Sequence, residues 1–246
     1  MAMNGRLLRP RATGFTPKGI SGLALWLDIS DATTVTLDAN NLISNIADKS
    51  GNNYNGSQTT AANRPGVSTM NGKRCGDWGT ASNALRVAYS HGSNANNWRD
   101  GFIAAAWDAG GTTFPTFNGL FTANAISGTA NGAILDGFNG SANWAADGIW
   151  HRPQGSVLKV NNEAAVEDGS TCAAFPHITS AFIVRGQAKA DVAVNGWQLG
   201  CDRSLAGRGW RGRIGEVVIY TRQLTATEAL RVRQYLAKKW GAPSQT

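Results

Sequence analysis

Residues Trp210–Gly241, WRGRIGEVVIYTRQLTATEALRVRQYLAKKWG, decide the fold. Ile214, Val217, Val218, Ile219 and Tyr220 form a short, largely β-branched run between Gly212 and the polar turn Thr221-Arg222-Gln223. That composition predicts a strand covered on both faces. Glu216 interrupts the alternation, because strict period-two geometry puts it on the face of Ile214 and Val218. Thr225 then stands three residues before Glu228, so each side chain can satisfy a backbone N–H of the other, and Leu224 is placed to staple onto Ala229. Ala229, Val232, Tyr235, Leu236 and Trp240 follow at helical spacing, leaving Arg231, Arg233, Lys238 and Lys239 for the wet face. Gly241 and Pro243 mark the stop. A lone amphipathic helix cannot bury its stripe by itself and must lie on a sheet.

Working outward, the rest of the chain reads as strands and turns. Its 246 residues include 30 glycines and only 16% charged residues, with 42% hydrophobic, which describes neutral strand faces around a substantial core rather than a helical bundle. Leu23-Ala-Leu-Trp-Leu27 alternates, with Leu23, Leu25 and Leu27 on one face. Short strands are expected at 35–37, 42–46, 84–89, 102–107, 119–121, 132–135 and 157–160. Two more are expected at 181–185 and 190–194, with a hairpin tip at Asn195-Gly196. About a dozen short strands and one helix amount to a two-sheet sandwich. The expected divisions are a basic extended arm over 1–19, one domain over 20–241 and a short tail over 242–246.

The net charge of +7 is concentrated at the ends. Arg6, Arg9, Arg11 and Lys18 face no acid within residues 1–20, and residues 201–246 carry nine Lys/Arg against three acids. A surface for nucleic acid spread over the whole protein is therefore disfavoured. Arg6, Arg9 and Arg11 are the candidate docking arm. No apolar segment follows the basic start and no run of about 18 apolar residues occurs, so neither a signal peptide nor a membrane helix is expected. Cys75, Cys172 and Cys201 are too scattered for a disulfide framework or a zinc site.

Aspartates Asp28, Asp31 and Asp48, beside Asn-rich turns, are candidate calcium ligands, since hard cations want clustered oxygens; ordinary turn chemistry explains the same residues. His91, His151 and His177 lie in no catalytic pattern. Among nine tryptophans, Trp26, Trp210 and Trp240 read as core. Trp78, Trp98, Trp144 and Trp150 lie near Gly/Asn/Asp-rich loops, as does Trp107, and such aromatics serve equally as sugar platforms and as interface anchors. Arg203, Arg208, Arg211 and Arg213 around Trp210 read as surface cations with protein or solvent partners.

The opening GLALWLDISDATTVTLDANNLISNIADKSGNNYN and the closing WRGRIGEVVIYTRQLTATEALRVRQYLAKKWG together resemble the concanavalin A-like lectin/glucanase jelly rolls, specifically the laminin G-like modules of phage structural and bacterial surface proteins. The likeness covers about 70 residues at the two ends. Ile46 stands where that family usually has Trp, and RCGDWGT replaces its "F-D-G-x-D-D" text. The resemblance implies an all-β, antiparallel jelly-roll sandwich with one C-terminal helix. The family's hydrolases carry an E-x-D-x-x-E strand, and this chain does not.

The expectation is a non-catalytic phage virion structural or adhesion protein, such as a head decoration or fibre subunit, displayed on the virion surface after synthesis in the host cytoplasm. Its expected partners are capsid or tail subunits and further copies of itself, with a cell-surface glycan also in view and neither membrane nor nucleic acid. No cofactor is expected beyond the calcium candidates. The alternatives are a carbohydrate-binding module for receptor recognition and a glycoside hydrolase.

Overall fold

A computed structural model describes residues 14–79, 84–87, 98–108, 118–123, 133–137, 157–162, 166–167, 179–192, 196–201 and 209–246. Among them the strands are β1 Leu23–Asp28, β2 Val35–Leu37, β3 Ile43–Ile46, β4 Gly56–Ser57, β5 Gly66–Met70, β6 Lys73–Asp77, β7 Leu85–Val87, β8 Trp98–Trp107, β9 Asn118–Ala123, β10 Ala133–Gly137, β11 Val157–Val160, β12 Val166–Glu167, β13 Phe182–Val192, β14 Trp197–Leu199 and β15 Gly212–Tyr220. The helix α1 spans Ala226–Trp240. One sheet runs β12-β11-β13-β8-β15-β6-β5, with β1 also paired to β15; the other runs β10-β9-β14-β7-β4-β3-β2. All ladders between these strands are antiparallel.

The first and last strands in chain order meet. Trp26 pairs with Val218 and Leu27 with Val217, so β1 extends the ladder where β15 has left β6. Gly215 explains why Glu216 breaks the hydrophobic alternation. The register of β15 against β8 slips between Ile214 and Glu216, which makes Gly215 the extra residue of a bulge. Ile214, Val217 and Ile219 therefore face the space between the sheets, while Val218 and Tyr220 face the helix. Glu216 thus shares a face with Val218 but not with Ile214. A second slip between Leu23 and Leu25 sends Leu23 to the helix side and leaves Leu25 and Leu27 between the sheets.

Between the sheets the core is aromatic. Trp107 packs on Trp210 with ring centroids 3.9 Å apart, and Phe121 stacks on Trp197 at 4.5 Å. Trp78 joins this cluster and is fully buried. On the outer face of the first sheet, Phe102, Ala104, Ile183, Val218 and Tyr220 meet Val232, Leu236 and Trp240 of α1. With both faces covered, this sheet requires the near-continuous apolar text of β15 and β8. Truncating one such large aromatic costs about 3–5 kcal/mol in a typical core.

The helix has the ends that its text predicts. Thr225 Oγ1 accepts from Glu228 N at 3.2 Å, and Thr225 N donates to Glu228 Oε2 at 2.9 Å. Gly241 closes the other end in the left-handed region at φ 75°, donating to Ala237 O. Arg233 departs from the expected wet face. It is buried and donates to Asn161 O, Asn162 Oδ1 and Gln245 Oε1, tying the helix to the turn after β11 and to the C-terminal residues.

Two further expectations change. The strands expected at 181–185 and 190–194 are one long strand, β13. Gly196 does not close a hairpin, because β13 lies in the first sheet and β14 pairs with β7 and β9 in the second. A two-residue turn signal reports local backbone geometry and carries no information on which sheet the next strand joins.

Candidate functional site

Arg231, Gln234, Tyr235 and Lys238 stand at i, i+3, i+4 and i+7 of α1 and so form one stripe along it. Two other parts of the chain come to this stripe. The β5–β6 hairpin turns through Asn71 (φ 51°) and Gly72 (φ 68°), the positive-φ pair of a tight hairpin. Asn71 Nδ2 donates to Lys239 O at 3.1 Å, which ties the hairpin tip to the last turn of the helix and brings Lys73 beside it. From the other side, the lead-in to β1 is anchored by Tyr220, whose hydroxyl donates to Pro17 O at 3.1 Å, with Pro17 and Ile20 buried. That anchor sets Phe15 against Tyr235 edge to face, with centroids 5.7 Å apart.

The result is a hollow of about 630 Å³ lined by Gly14, Phe15, Lys73, Arg231, Gln234, Tyr235, Lys238 and Lys239. Its cations differ in their engagement. Arg231 lies 5.1 Å over the Phe15 ring. Lys239 Nζ is bound to Asp28 Oδ1 and Glu216 Oε2, both at 2.7 Å. Lys73 and Lys238 are exposed and have no carboxylate partner among the described residues. The described lining contains no carboxylate.

Beneath the Tyr235 side of the hollow lies a buried acid. Glu216 Oε1 accepts from Trp26 Nε1 at 2.6 Å and from the Tyr235 hydroxyl at 2.9 Å; Oε2 accepts from Trp240 Nε1 at 2.9 Å as well as from Lys239. Burial pushes the Glu216 carboxyl above its ordinary range and the nearby Asp28 adds to this, while Lys239 and Trp240 oppose it. Burial also pushes up the Tyr235 phenol, and Glu216 pushes it further, so Tyr235 stays a protonated donor. Asp28 goes the other way although it shares Lys239. Burial raises it, but Lys239, Ser30 and Lys49 together outweigh that effect and hold it below its ordinary value. Asp28 has a second lysine and a hydroxyl where Glu216 has one lysine and neutral donors. The chain of charges continues to the surface through Lys49, which bonds Asp28 at 3.0 Å and Asp31 at 2.7 Å. These acids hold Lys49 and Lys239, and no carboxylate partner of Lys73, Arg231 or Lys238 occurs among the described residues.

A pair of carboxylates lies elsewhere, at the ends of β6 and β8. An ideal Cβ on Gly79 would sit 3.1 Å from Asp77 Oδ1 and 3.4 Å from Asp108 Oδ2, so both acids face one small space. Burial raises the Asp108 carboxyl and Asp77 raises it further, against Arg213 and Arg211.

The residues singled out from sequence fall in different places. Trp78 lies in the core between the sheets, not on a loop surface, and so does Trp107, because filling the space between two sheets takes large rings. Trp98 begins β8. Trp144, Trp150, Arg6, Arg9 and Arg11 lie outside the described residues. Asp28 and Asp31 direct their oxygens at Lys49, Lys239, Ser30 and Thr33. Asp48 accepts from the backbone of Trp26, Ser50 and Tyr54. No group of three or more His, Cys, Asp or Glu residues suited to a metal ion occurs among the described residues. Lys73, Phe15 and the helix stripe were not singled out. Arg231 and Lys238 of the stripe were legible as wet-face residues, but Tyr235 reads from sequence as part of the buried face, and Phe15 and Lys73 reach the stripe only through tertiary contacts.

No protein-family model and no curated protein matches the chain. Among the solved structures similar to it are two of a sialidase. One is Trypanosoma rangeli sialidase in complex with sialic acid, with a TM-score of 0.49 and 14% identity over 89% of this chain. The other is a mutant of Trypanosoma rangeli sialidase displaying trans-sialidase activity, with a TM-score of 0.41 and 15% identity over 89% of this chain. This chain spans 33% of the length of each. These matches correct two expectations. They are to sialidases and not to capsid, decoration or fibre proteins, so the phage virion reading and the assignment as non-catalytic are withdrawn. The likeness concerns the fold, and the activity belongs to chains about three times as long.

Proposed function

We propose that this chain is a glycan-binding β-sandwich domain of jelly-roll type, with its binding site in the hollow on α1. The observation that carries the reading is the meeting of Phe15 and Tyr235 at a hollow of about 630 Å³ that also presents an amide, Gln234, and exposed cations. Sugar rings offer apolar C–H faces for aromatic contact and hydroxyls for polar groups, and ligand pockets commonly fall between about 300 and 1,000 Å³. The jelly-roll assignment is supported by connections that pass from one sheet to the other between β8 and β9, β13 and β14, and β14 and β15. Binding to a glycan array, followed by Phe15→Ala, tests the site. We expect retained folding and a loss of binding of about tenfold or more, equivalent to about 1.4 kcal/mol. Undiminished binding by the variant removes the hollow from the reading, and silence across a broad array removes the reading itself.

A second reading, cleavage of glycosidic bonds, is favoured by one observation, the raised Asp108 carboxyl facing Asp77. In glycoside hydrolysis a carboxyl of raised proton affinity serves as the acid beside a second carboxylate. Turnover of aryl glycosides that is abolished in Asp108→Asn supports it; turnover unchanged in that variant excludes this pair.

A further inference from the structure

We propose that the hollow on α1 selects anionic sugars, those bearing a carboxylate or a sulfate ester, through Lys73 and Lys238. The inference rests on the glycan-binding reading and deepens it.

Four cations, Lys73, Arg231, Lys238 and Lys239, line one hollow whose described lining has no acid. Lys239 is spoken for by Glu216 and Asp28 beneath it, both within 2.7 Å. Arg231 is placed over Phe15, its guanidinium carbon 5.1 Å from the ring centre. Lys73 and Lys238 remain, exposed and unpaired among the described residues. They are delivered by separate elements, the β5–β6 hairpin and the helix stripe, and the Asn71–Lys239 hydrogen bond holds those elements together. Like charges gathered around one concavity repel, and an anion placed among them relieves that repulsion. A carboxylate or sulfate accepts hydrogen bonds from more than one ammonium at once, while the adjoining ring lies against Phe15 and Tyr235.

An extended nucleic acid fits less well. Such ligands are held by basic stripes with successive stacking platforms, and the described lining of this hollow holds one aromatic pair, Phe15 and Tyr235.

The test uses the full chain and calorimetric titration with matched disaccharides: a uronic-acid disaccharide against its neutral counterpart, and a sulfated disaccharide against its unsulfated form. The expected result is a preference of about tenfold or more for the charged member of at least one pair, weakening as salt rises from about 50 to about 200 mM. Whichever pair shows it identifies the anion as carboxylate or sulfate. The double variant Lys73→Gln, Lys238→Gln, altered only at exposed positions, should lose most of that preference while still binding the neutral disaccharide, with an unchanged circular dichroism melt. Equal affinity for charged and neutral members overturns the proposal and leaves glycan binding standing. Absence of binding to any of the four overturns the proposal together with the reading beneath it. Tighter binding of a single-stranded oligonucleotide than of any sugar overturns it in favour of nucleic acid.

Discussion

Trp26 Nε1 donates to Glu216 Oε1 at 2.6 Å across 190 residues of chain, so the first strand and the last are joined by a buried side-chain bond as well as by their ladder. Glu216 accepts three further hydrogen bonds there, from Tyr235, Trp240 and Lys239. Each of these neighbours donates to the carboxylate, and the Tyr235 hydroxyl, which itself accepts from Lys239, is the one among them that could accept from a protonated carboxyl. Replacement by Gln turns one oxygen into a donor facing donors and leaves Lys239 with Asp28 alone. Breaking a buried charge pair from one side typically costs about 3–5 kcal/mol, and Glu216→Gln is expected to lose stability on that scale in urea unfolding. A loss below about 1 kcal/mol would mean that water, not the helix, satisfies this carboxylate.

Gly215 and Trp240 form the second testable contact. An ideal Cβ on Gly215 would meet three ring atoms of Trp240, each at 2.7 Å, so the bulge glycine is where the indole lies flat on the sheet. Gly215→Ala must push the ring, and with it the end of α1, away from β15. Overpacking of this kind costs about 1–3 kcal/mol. Trp240→Leu shrinks the opposing side chain, so the double variant should be less unstable than the sum of the single changes. Strict additivity in chemical denaturation would refute the contact.

How much of this was legible in the sequence follows the range of the forces involved. The capping box of Thr225 and Glu228, the helical stripe and the Gly241 stop are local, and the text at 221–243 specifies them. The first strand and the last were both legible as apolar strands, but not their registers, because the bulges at Gly215 and near Leu23 change which face the flanking residues take. Gly215 inside a strand was the available signal for the first of these. Trp78 and Trp107 were misread because Gly and Asp neighbours suggested loops, whereas packing two sheets together required their rings. Arg233 was misread for a similar reason, since its partners Asn161, Asn162 and Gln245 come from distant text. The hollow was not legible, because Phe15 and Lys73 acquire their place only from Tyr220 and Asn71 contacts made in the folded chain.

Cys75 is fully buried in β6 on the helix side of the first sheet. Burial, with a smaller contribution from Asp77 and against Arg213, pushes its thiol up to about 12. Thiolate is the reactive form, so native Cys75 should resist alkylation by iodoacetamide at pH 8 and react once the protein is unfolded in guanidinium. Peptide mapping of the alkylated chain reads Cys75 separately from Cys172 and Cys201. Rapid modification of Cys75 in native buffer would show that its thiol is not buried in the helix-side cluster of the first sheet.

Acid should act first on the corner that starts the helix. Arg222 bonds Glu228 at 2.6 Å, and Glu228 also accepts from Thr225 N; these hold its carboxyl down at about 2, against an ordinary value of 4.5. The folded state therefore binds this proton less readily than the unfolded chain. The stabilisation is fully present above pH 4.5 and fades as the pH falls toward about 2. Glu216 has the opposite sign: its raised carboxyl contributes stability below its ordinary range that is lost as the pH rises. Comparison of the parent with Glu228→Gln separates the two, because Gln keeps a side-chain acceptor for the capping box while losing the ion pair. The parent should melt higher at pH 7, with the difference in Tm closing between pH 4.5 and about 2, whereas Glu216 contributes equally to both chains. A Tm difference that stays constant down to pH 2 would place the Glu228 proton outside this transition and remove the ion pair with Arg222 from the account of the helix start.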